Sequence, residues 1–380
     1  MLLDTIFAAQ KQSRVWGGLL DPSRRQISRK GNLARPPPAI PLSPGGMTFG
    51  AIGNRVMAEM AGRFPGRPVF GRLDFFKHLN HHRSTPMGGS ATILRGNQME
   101  YGLCMFVTDY TIDIVTLAKT AERLGFKMLL VPEHPIIPVE MKTPFAGRSD
   151  GVLPEFYKHT IDPFVALAAA AAATETLRIG TGICLVPERN PLITAKEVAS
   201  VDLISKGRFD FGIGAGWLRD ESEIFGVDFP RRWAQTREYM MAMKACWGAD
   251  PSEFSGKYVN FPKLWCHPKP VQKPHPPILM AGEGEKLAER MAEYGDEWLP
   301  RFRNITPETL TEGRKRIEDA MSGKGRDASK LKVNLFGATA DKENNEKFFA
   351  AGADRIVLMM PSENEEKSVA RLEQWADELM

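Results

Sequence analysis

From about residue 100 onward, short apolar runs alternate with segments of helical periodicity. The runs are continuously apolar, as expected for strands of a parallel sheet that is covered on both faces. Eight strands are predicted, at residues 102–106, 127–131, 178–184, 209–213, 278–281, 297–299, 332–336 and 355–359. Seven helices between them and a last helix over 363–379 predict an α/β fold of the (β/α)8 TIM-barrel type. A doubly wound sheet is the alternative.

Capping residues support this division into units. Asp162, Asn190 and Thr306 each precede a proline at the first position of a predicted helix. There a side-chain oxygen can accept hydrogen bonds from free backbone N–H groups. Glycines such as Gly125 follow the predicted helix ends, where left-handed backbone is common.

Residues 1–98 have a different composition from the rest of the chain. They are rich in proline and glycine, lack a sustained period, and carry 14 Lys and Arg against 4 Asp and Glu. We interpret residues 1–98 as a disordered basic extension, or as a segment upstream of a true start at Met99, and residues 99–380 as the barrel domain. The remaining residues carry 36 basic against 42 acidic side chains, which argues against a nucleic-acid partner.

Membrane and metal-binding classes are not favoured. No apolar run reaches the ~20 residues that a spanning helix needs, so no membrane partner is expected. The four cysteines form no C-x-x-C pair, and such sparse usage suits a reducing cytoplasm. Cys104 and Cys184 fall in predicted strands, where we expect small core residues.

Two connections are longer than ordinary loops. Residues 135–160 follow the second strand, and residues 249–276 precede the fifth. Active sites of such barrels lie at the C-terminal ends of the strands. The 135–160 segment leaves such an end and is therefore a candidate substrate lid, with Phe145, Arg148, Phe156 and Tyr157 as its larger side chains.

The second strand ends in Glu133-His134. An imidazole titrates near neutral pH, so at this end of a barrel strand it could give or take a proton. The alternative is a histidine that a loop carbonyl holds for structural reasons.

Glycines cluster at the ends of three further predicted strands. Within a buried strand they imply either a close backbone approach by a ligand or simple packing. They are Gly180 and Gly182 in the third strand, Gly212, Gly214 and Gly216 in the fourth, and Gly282 and Gly284 after the fifth. The G-x-G-x-G spacing of the second group is not the dinucleotide fingerprint.

Several ordered segments resemble the bacterial luciferase-like monooxygenase family, and most closely its branch of probable coenzyme F420-dependent oxidoreductases. The matching segments are Thr181-Gly182 with Asn190-Pro191, Gly207-Arg208-Phe209, GIGAGWL at 212–218, PKPVQKPHPPI at 268–278 and GDEWLP at 295–300. The resemblance covers residues 100–300 most strongly.

This resemblance implies a flavoprotein-like oxidoreductase that transfers a hydride between the deazaflavin F420 and a small organic substrate, with FMN as the alternative cofactor. It implies that His134 lies close to the reacting edge of the cofactor ring. We expect His134 to act there as the catalytic acid/base, and Glu133 either to orient it or to polarise the ring. The resemblance also implies a bulge with a non-proline cis peptide near Gly182-Ile183-Cys184, and a homodimer. The implied cofactor contacts are Gly182, Ile183, Cys184, Asn190, Gly214, Ala215, Gly216, Trp217, Ala281, Gly282 and Gly284.

One departure from the family pattern lies after the fifth strand. Glu283 and Glu285 stand where the family offers uncharged hydroxyls, so we expect two carboxylates to repel a cofactor phosphate. Three alternatives remain open: an FMN-dependent monooxygenase, a non-enzymatic flavin-binding relative, and a hydrolase with a metal held by Glu133, His134 and His159.

Overall fold

The computed structural model describes residues 99–380, and the predictions for residues 1–98 lie outside the described residues. The described part holds the following strands. They are β1 (Glu100–Cys104), β2 (Met128–Val131), β3 (Arg178–Thr181), β4 (Cys184–Leu185), β5 (Phe209–Gly214), β6 (Ser252–Ser255), β7 (Asn260–Leu264), β8 (Ile278–Ala281), β9 (Glu297–Leu299), β10 (Lys332–Ala338) and β11 (Arg355–Met359).

Parallel pairing closes these strands into a barrel. β1 pairs with β2 on one side and with β11 on the other, and pairing continues through β10, β9 and β8 to β5. β5 then pairs with β3 and with β4, which together form the third barrel strand, and β3 pairs with β2 to complete the ring. Each barrel position therefore has two neighbours and no free edge, and the predicted (β/α)8 fold is confirmed.

Helices cover the outside of the barrel. They are α1 (Ile114–Leu124), α2 (Pro163–Ala173), α3 (Pro191–Ile204), α4 (Arg219–Ile224), α5 (Arg232–Gly248), α6 (Leu287–Tyr294), α7 (Pro307–Gly323), α8 (Lys342–Ala350) and α9 (Glu365–Leu379). The predicted caps are confirmed: Asp162, Asn190 and Thr306 accept hydrogen bonds from the first turns of α2, α3 and α7. Gly125 ends α1 at φ 94°.

The first strand begins two residues earlier than predicted. β1 starts at Glu100, whose carboxylate lies 2.7 Å from Arg355 at the start of β11. This ion pair lies where the parallel pairing of β1 and β11 begins. A prediction from apolar runs does not include a charged residue such as Glu100. Three strand predictions, at residues 278–281, 297–299 and 355–359, match the structure to the residue.

The third strand is interrupted, whereas the apolar pattern predicted one run over 178–184. The Gly182–Ile183 peptide bond is cis, at the place that the family resemblance implied. Regular pairing stops after Thr181 and resumes at Cys184. The break puts residues 182 and 183 at the C-terminal end of the barrel, where they line a cavity.

Two features of the connections were not predicted. The short helix α4 lies between β5 and α5, and the 249–276 insertion contains the antiparallel hairpin β6–β7. Cys104 and Cys184 are fully buried, as predicted. Within residues 99–380, no helix is both long enough and apolar enough to cross a membrane.

Candidate active site

A cavity of about 500 Å³ opens at the C-terminal ends of the barrel strands. Its volume lies within the range that ligand pockets usually occupy. Strand ends and the 135–160 loop both contribute to the wall. The apolar part of the wall includes Ile183, Leu185, Ala281, Leu299, Phe336 and Met359. Such a surface suits a flat apolar group.

His134 lies at the end of β2 and lines this cavity. Its Nδ1 is 2.7 Å from Oε2 of Glu221 in α4, and the two side chains are 6% and 1% exposed. A carboxylate therefore holds the ring, rather than the loop carbonyl of the structural alternative. Nε2 bonds to no residue in the described range, so this nitrogen can exchange a proton with a molecule in the cavity.

Glu133 does not contact the imidazole, although we expected it to orient His134. Both residues lie in the segment after β2, which ends at Val131, and Glu133 also lines the cavity. Its carboxylate accepts hydrogen bonds from Arg189 Nε at 2.6 Å and from the Leu185 backbone N–H at 2.7 Å. Glu133 thus holds β4 and the segment that follows it, whereas Glu221 is the carboxylate that orients the His134 imidazole.

A second buried carboxylate lies beside this pair. Ser222, next to Glu221 in α4, donates a hydrogen bond of 2.6 Å to Oε1 of Glu188. Burial, together with the charge of Glu221, raises the pKa of Glu188 to about 8. One oxygen of Glu188 and one of Glu221 are fully buried without a partner among the described residues. Glu188 therefore holds its proton at neutral pH.

Sequence reasoning did not identify Glu188, Glu221 or Ser222. Glu221 follows the strand-four glycines within seven residues of Gly214, so proximity to that motif was an available signal. Its partner His134 is 87 positions away along the chain. The contact exists because α4 carries Glu221 to the cavity, and no periodic pattern in the sequence predicted this short helix.

Most predicted cofactor contacts do line the cavity. They are Gly182, Ile183, Gly214, Ala215, Gly216, Trp217, Ala281 and Gly282. At Gly216, an added Cβ would lie 2.9 Å from the Glu188 carboxylate. Because the backbone there is at φ 78° and close to that carboxylate, a side chain would be strained and crowded.

The structure places three predicted cofactor residues away from the cavity wall. Cys184 packs in the apolar core, and burial raises the pKa of its thiol well above the ordinary value. The Asn190 side chain caps α3, and Gly284 is exposed outside the cavity lining. Gly180 and Gly212 serve packing rather than ligand approach, since a Cβ on either would collide with the backbone oxygen of a neighbouring strand.

The loop after β8 is not the repulsive surface that we expected. The Glu283 carboxylate is 2.9 Å from Arg301 Nη2, 3.0 Å from Asn304 Nδ2, and accepts from the Arg301 backbone N–H. Burial alone would raise its pKa, but these hydrogen bonds hold the pKa of Glu283 below its usual range. Arg301 thus compensates the Glu283 charge, whereas Glu285 is exposed and does not line the cavity.

Three arginines line the cavity, and none was predicted from the sequence. Arg301 is paired with Glu283. Arg232 donates to the backbone oxygens of Gly216 and Phe229. Arg303 makes no hydrogen bond or ion pair with any residue between 99 and 380. The rim therefore carries positive charge that its own acidic residues do not balance.

Aromatic side chains of the 135–160 loop cover one side of the cavity. Phe145 and Tyr157 line it, and Phe156 packs on Tyr157 at 5.0 Å between ring centroids. Arg148 instead lies exposed and pairs with Asp150. That the loop acts as a substrate lid remains a prediction.

The loop is tied to the helix that carries Glu221. Asp220 accepts hydrogen bonds of 3.0 Å from the backbone N–H groups of Lys142 and Thr143. Hydrogen bonding from Thr143 and Lys142 lowers the pKa of Asp220 to about 2. Neighbouring residues of α4 thus hold the loop and the histidine.

The residues proposed for a metal site do not come together. His159 lies on the 135–160 loop, where its Nδ1 is 3.0 Å from Asp109. Over residues 99–380, no group of three or more His, Cys, Asp and Glu side chains is arranged to hold a metal ion.

Comparisons with known proteins agree with this architecture. The sequence model of the family described as luciferase-like monooxygenase matches residues 89–378. An uncharacterised protein of Mycobacterium tuberculosis, Rv0953c, is 34% identical over 283 residues, which cover 74% of this chain and 99% of that protein.

The oxygenase component of a flavin-dependent trigonelline monooxygenase from Acinetobacter baylyi is 35% identical over 136 residues. That match covers 35% of this chain and 38% of the relative. Among solved structures, the coenzyme F420-dependent tetrahydromethanopterin reductase of Methanopyrus kandleri superposes with a TM-score of 0.57 at 17% identity, over 74% of this chain and 98% of that one. At this identity the likeness concerns the fold.

Proposed function

This chain belongs to the luciferase-like monooxygenase family, and from that premise we propose that it transfers a hydride between coenzyme F420 and a small organic substrate. The observation that carries the proposal is the buried His134–Glu221 pair, whose free Nε2 belongs to a residue lining the cavity. Hydride transfer to a carbon leaves charge on the neighbouring atom of the substrate. A proton from Nε2 would neutralise that charge, and the reverse reaction would return it.

The cavity residues fit a flavin-like ring. The cis Gly182–Ile183 bulge and the side chains of Leu299 and Phe336 form apolar surface on the wall. The backbone at Gly282 is open, with no atom within 4 Å of a Cβ built there. When bound, the deazaflavin would supply or accept the hydride, while the protein positions it and excludes water.

Residues on the rim would hold the cofactor's phosphate. Backbone around Gly214–Gly216 and at Gly282 lines the cavity, and Arg232 donates to the Gly216 backbone oxygen. Glycine backbone allows close approach of N–H groups to a phosphate. Because Arg301 compensates Glu283, the loop after β8 does not prevent this binding.

A fluorescence titration tests the proposal. Trp217 and Trp233 line the cavity, so a bound ring should quench their emission. We expect saturable quenching by oxidised F420, and tighter binding of F420 than of FMN. Trp217→Phe should keep the affinity with a smaller signal. Saturable binding of neither cofactor, to wild type or variant, would contradict the proposal.

A second candidate is an FMN-dependent monooxygenase. The similarity to the flavin-dependent trigonelline monooxygenase over 136 residues favours it. Tighter binding of FMN than of F420, with oxygen consumption in the presence of reduced FMN, would select this candidate. Oxygen consumption that is unchanged by the protein would exclude it.

We also propose that residues 99–380 form the enzyme and that two copies associate. Val165 of α2 and Ile193 of α3 are apolar side chains that are 73% and 60% exposed, and a partner could cover them. Sedimentation of the purified chain should show a dimer, and a monomer at all concentrations would contradict this.

The intact mass of the native protein tests the start at Met99.

A further inference from the structure

We propose that the substrate of this site is a flat aromatic or conjugated molecule with one anionic group, such as a carboxylate, which Arg303 and Tyr157 bind beside His134. This inference rests on the proposed function for the location of the reacting atom. It concerns the part of the cavity beneath the 135–160 loop.

The first observation is a continuous aromatic wall around His134. Tyr157 lies 4.9 Å from the His134 ring, Trp217 lies 6.1 Å from it, and Phe145 lies between 5 and 6 Å from both Tyr157 and Trp217, all as distances between ring centroids. Phe106, which follows β1, packs 4.7 Å from Tyr157. Aromatic rings attract one another in stacked and edge-to-face arrangements. A planar conjugated molecule could therefore make such contacts on several sides.

The second observation is that the three arginines of the cavity differ in their hydrogen-bond and ion-pair partners. Arg301 is committed to Glu283, and Arg232 lies over the Phe229 ring and binds backbone oxygens. Within the described range Arg303 has neither a carboxylate nor a carbonyl partner, although it lines the cavity. A guanidinium in this setting favours an anion, above all one that accepts two parallel hydrogen bonds.

Tyr157, Arg303 and His134 line the same cavity, and the Tyr157 ring is 4.9 Å from that of His134. The Arg303 charge acts on the Tyr157 phenol, yet burial raises the pKa of Tyr157 to about 12. The hydroxyl is therefore protonated at neutral pH, and it bonds to no described residue. Tyr157 can donate this hydrogen to an anion that Arg303 also binds, while the aromatic body of the molecule extends toward His134.

The position of Arg303 favours the substrate over the cofactor tail. A Cβ added at Gly147 of the 135–160 loop would lie 3.3 Å from Arg303 Nη1, so the guanidinium lies beneath this loop. In the Gly214–Gly216 segment proposed to hold the cofactor phosphate, the Gly216 backbone oxygen accepts instead from Arg232. Arg303 and Arg232 thus adjoin different segments of the cavity wall, the 135–160 loop and the Gly214–Gly216 segment.

Calorimetric titration with matched probes tests the inference. Benzoate and benzamide have the same shape and differ in charge, and cyclohexanecarboxylate keeps the charge without the aromatic ring. We expect the protein saturated with F420 to bind benzoate at least about 10-fold more tightly than benzamide. Cyclohexanecarboxylate should bind several-fold more weakly than benzoate.

Variants then assign the effect to Arg303. Arg303→Met should remove the preference for benzoate without changing the affinity for benzamide or F420, whereas Arg303→Lys should keep part of the preference. Arg316→Met, a matched control outside the cavity lining, should bind all probes as wild type does. Melting temperatures verify that each variant folds.

Three results would overturn the inference: equal binding of benzoate and benzamide, equal binding of cyclohexanecarboxylate and benzoate, or a loss of F420 affinity in Arg303→Met. The last result would assign Arg303 to the cofactor. Failure of the proposed function has a different signature, since neither F420 nor FMN would bind while the probes, titrated into the protein alone, would still report on Arg303.

Discussion

The two sides of the cavity mouth differ in how deeply their charged groups are buried. On the histidine side (His134, Glu188, Glu221 and Ser222), polar groups are buried and every charge depends on one partner. On the arginine side (Glu283, Arg301, Arg303 and Asn304), charges stand at the rim, and Arg301 is 46% exposed as a side chain.

This difference determines what each side can do. In a buried, low-dielectric setting a hydrogen-bonded pair keeps a fixed geometry, and the loss of one partner leaves the other uncompensated. At an exposed rim, water and salt weaken each interaction. We therefore assign proton transfer to the histidine side and the binding of anionic groups to the arginine side.

The largest effect should follow removal of the imidazole. We expect His134→Ala to lower the rate of hydride transfer by about 10²- to 10⁴-fold, because the variant lacks the imidazole that would give and take the substrate proton. The rate is measured from the absorbance of F420 with a substrate found by screening. F420 affinity should stay within about 2-fold of wild type, and an unchanged rate would remove His134 from the mechanism.

Substitution of Glu221, the partner of His134, should cause a smaller loss in the rate of hydride transfer. Glu221→Gln keeps the shape but removes the negative charge that supports the ring, so we expect a rate reduction of about 10- to 100-fold. Glu223→Gln, two residues further in α4 and exposed, is the matched control and should behave as wild type. Equal rates in Glu221→Gln and wild type would show that the contact is only structural.

Substitutions on the arginine side should change the affinity for F420 only weakly, and in opposite directions. Glu283→Gln releases Arg301 for an anionic ligand and should tighten F420 binding by about 2- to 5-fold, whereas Arg301→Met should weaken it by a similar factor. Both effects should shrink as salt is raised. Fluorescence titrations at low and high salt measure them, and effects that are independent of salt would contradict a rim location.

The smallest effect concerns stability and pH. Glu188 keeps its proton up to about pH 8 in the folded protein, whereas its ordinary pKa is 4.5. Between these values the folded state binds the additional proton, so the free energy of unfolding falls as pH rises. Glu188→Gln should remove this slope, with a melting temperature a few degrees above wild type at about pH 8. The exposed Glu366→Gln is the control, and parallel pH profiles for all three proteins would contradict the assignment.

The barrel could be predicted because its signals are local. Continuous apolar runs identify the strands, and caps such as Asp162 and Asn190 fix helix starts. The strand ends then place His134, Gly182 and Gly214 around one opening, since parallel strands end at the same side of a barrel. The position of the cis peptide came from the family resemblance.

The pairings within the site could not be predicted in the same way. Glu133 was expected to orient His134 or to polarise the cofactor ring, yet its carboxylate accepts from Arg189 and from the Leu185 backbone N–H instead. Likewise, Glu283 was expected to repel phosphate because its partner Arg301 lies 18 positions away. These contacts depend on how loops at different strand ends meet, and local periodicity contains no information about that.

The central claim is that His134 and Glu221 act as one unit, and the double variant tests it most directly. We would measure the rate of hydride transfer in His134→Ala/Glu221→Gln beside both single variants. If the carboxylate acts only through the imidazole, the double variant should match His134→Ala within about 2-fold. If the two losses multiply, so that the double variant is slower than His134→Ala by a further factor of about 10 or more, Glu221 has a separate role and the account of the histidine side is wrong.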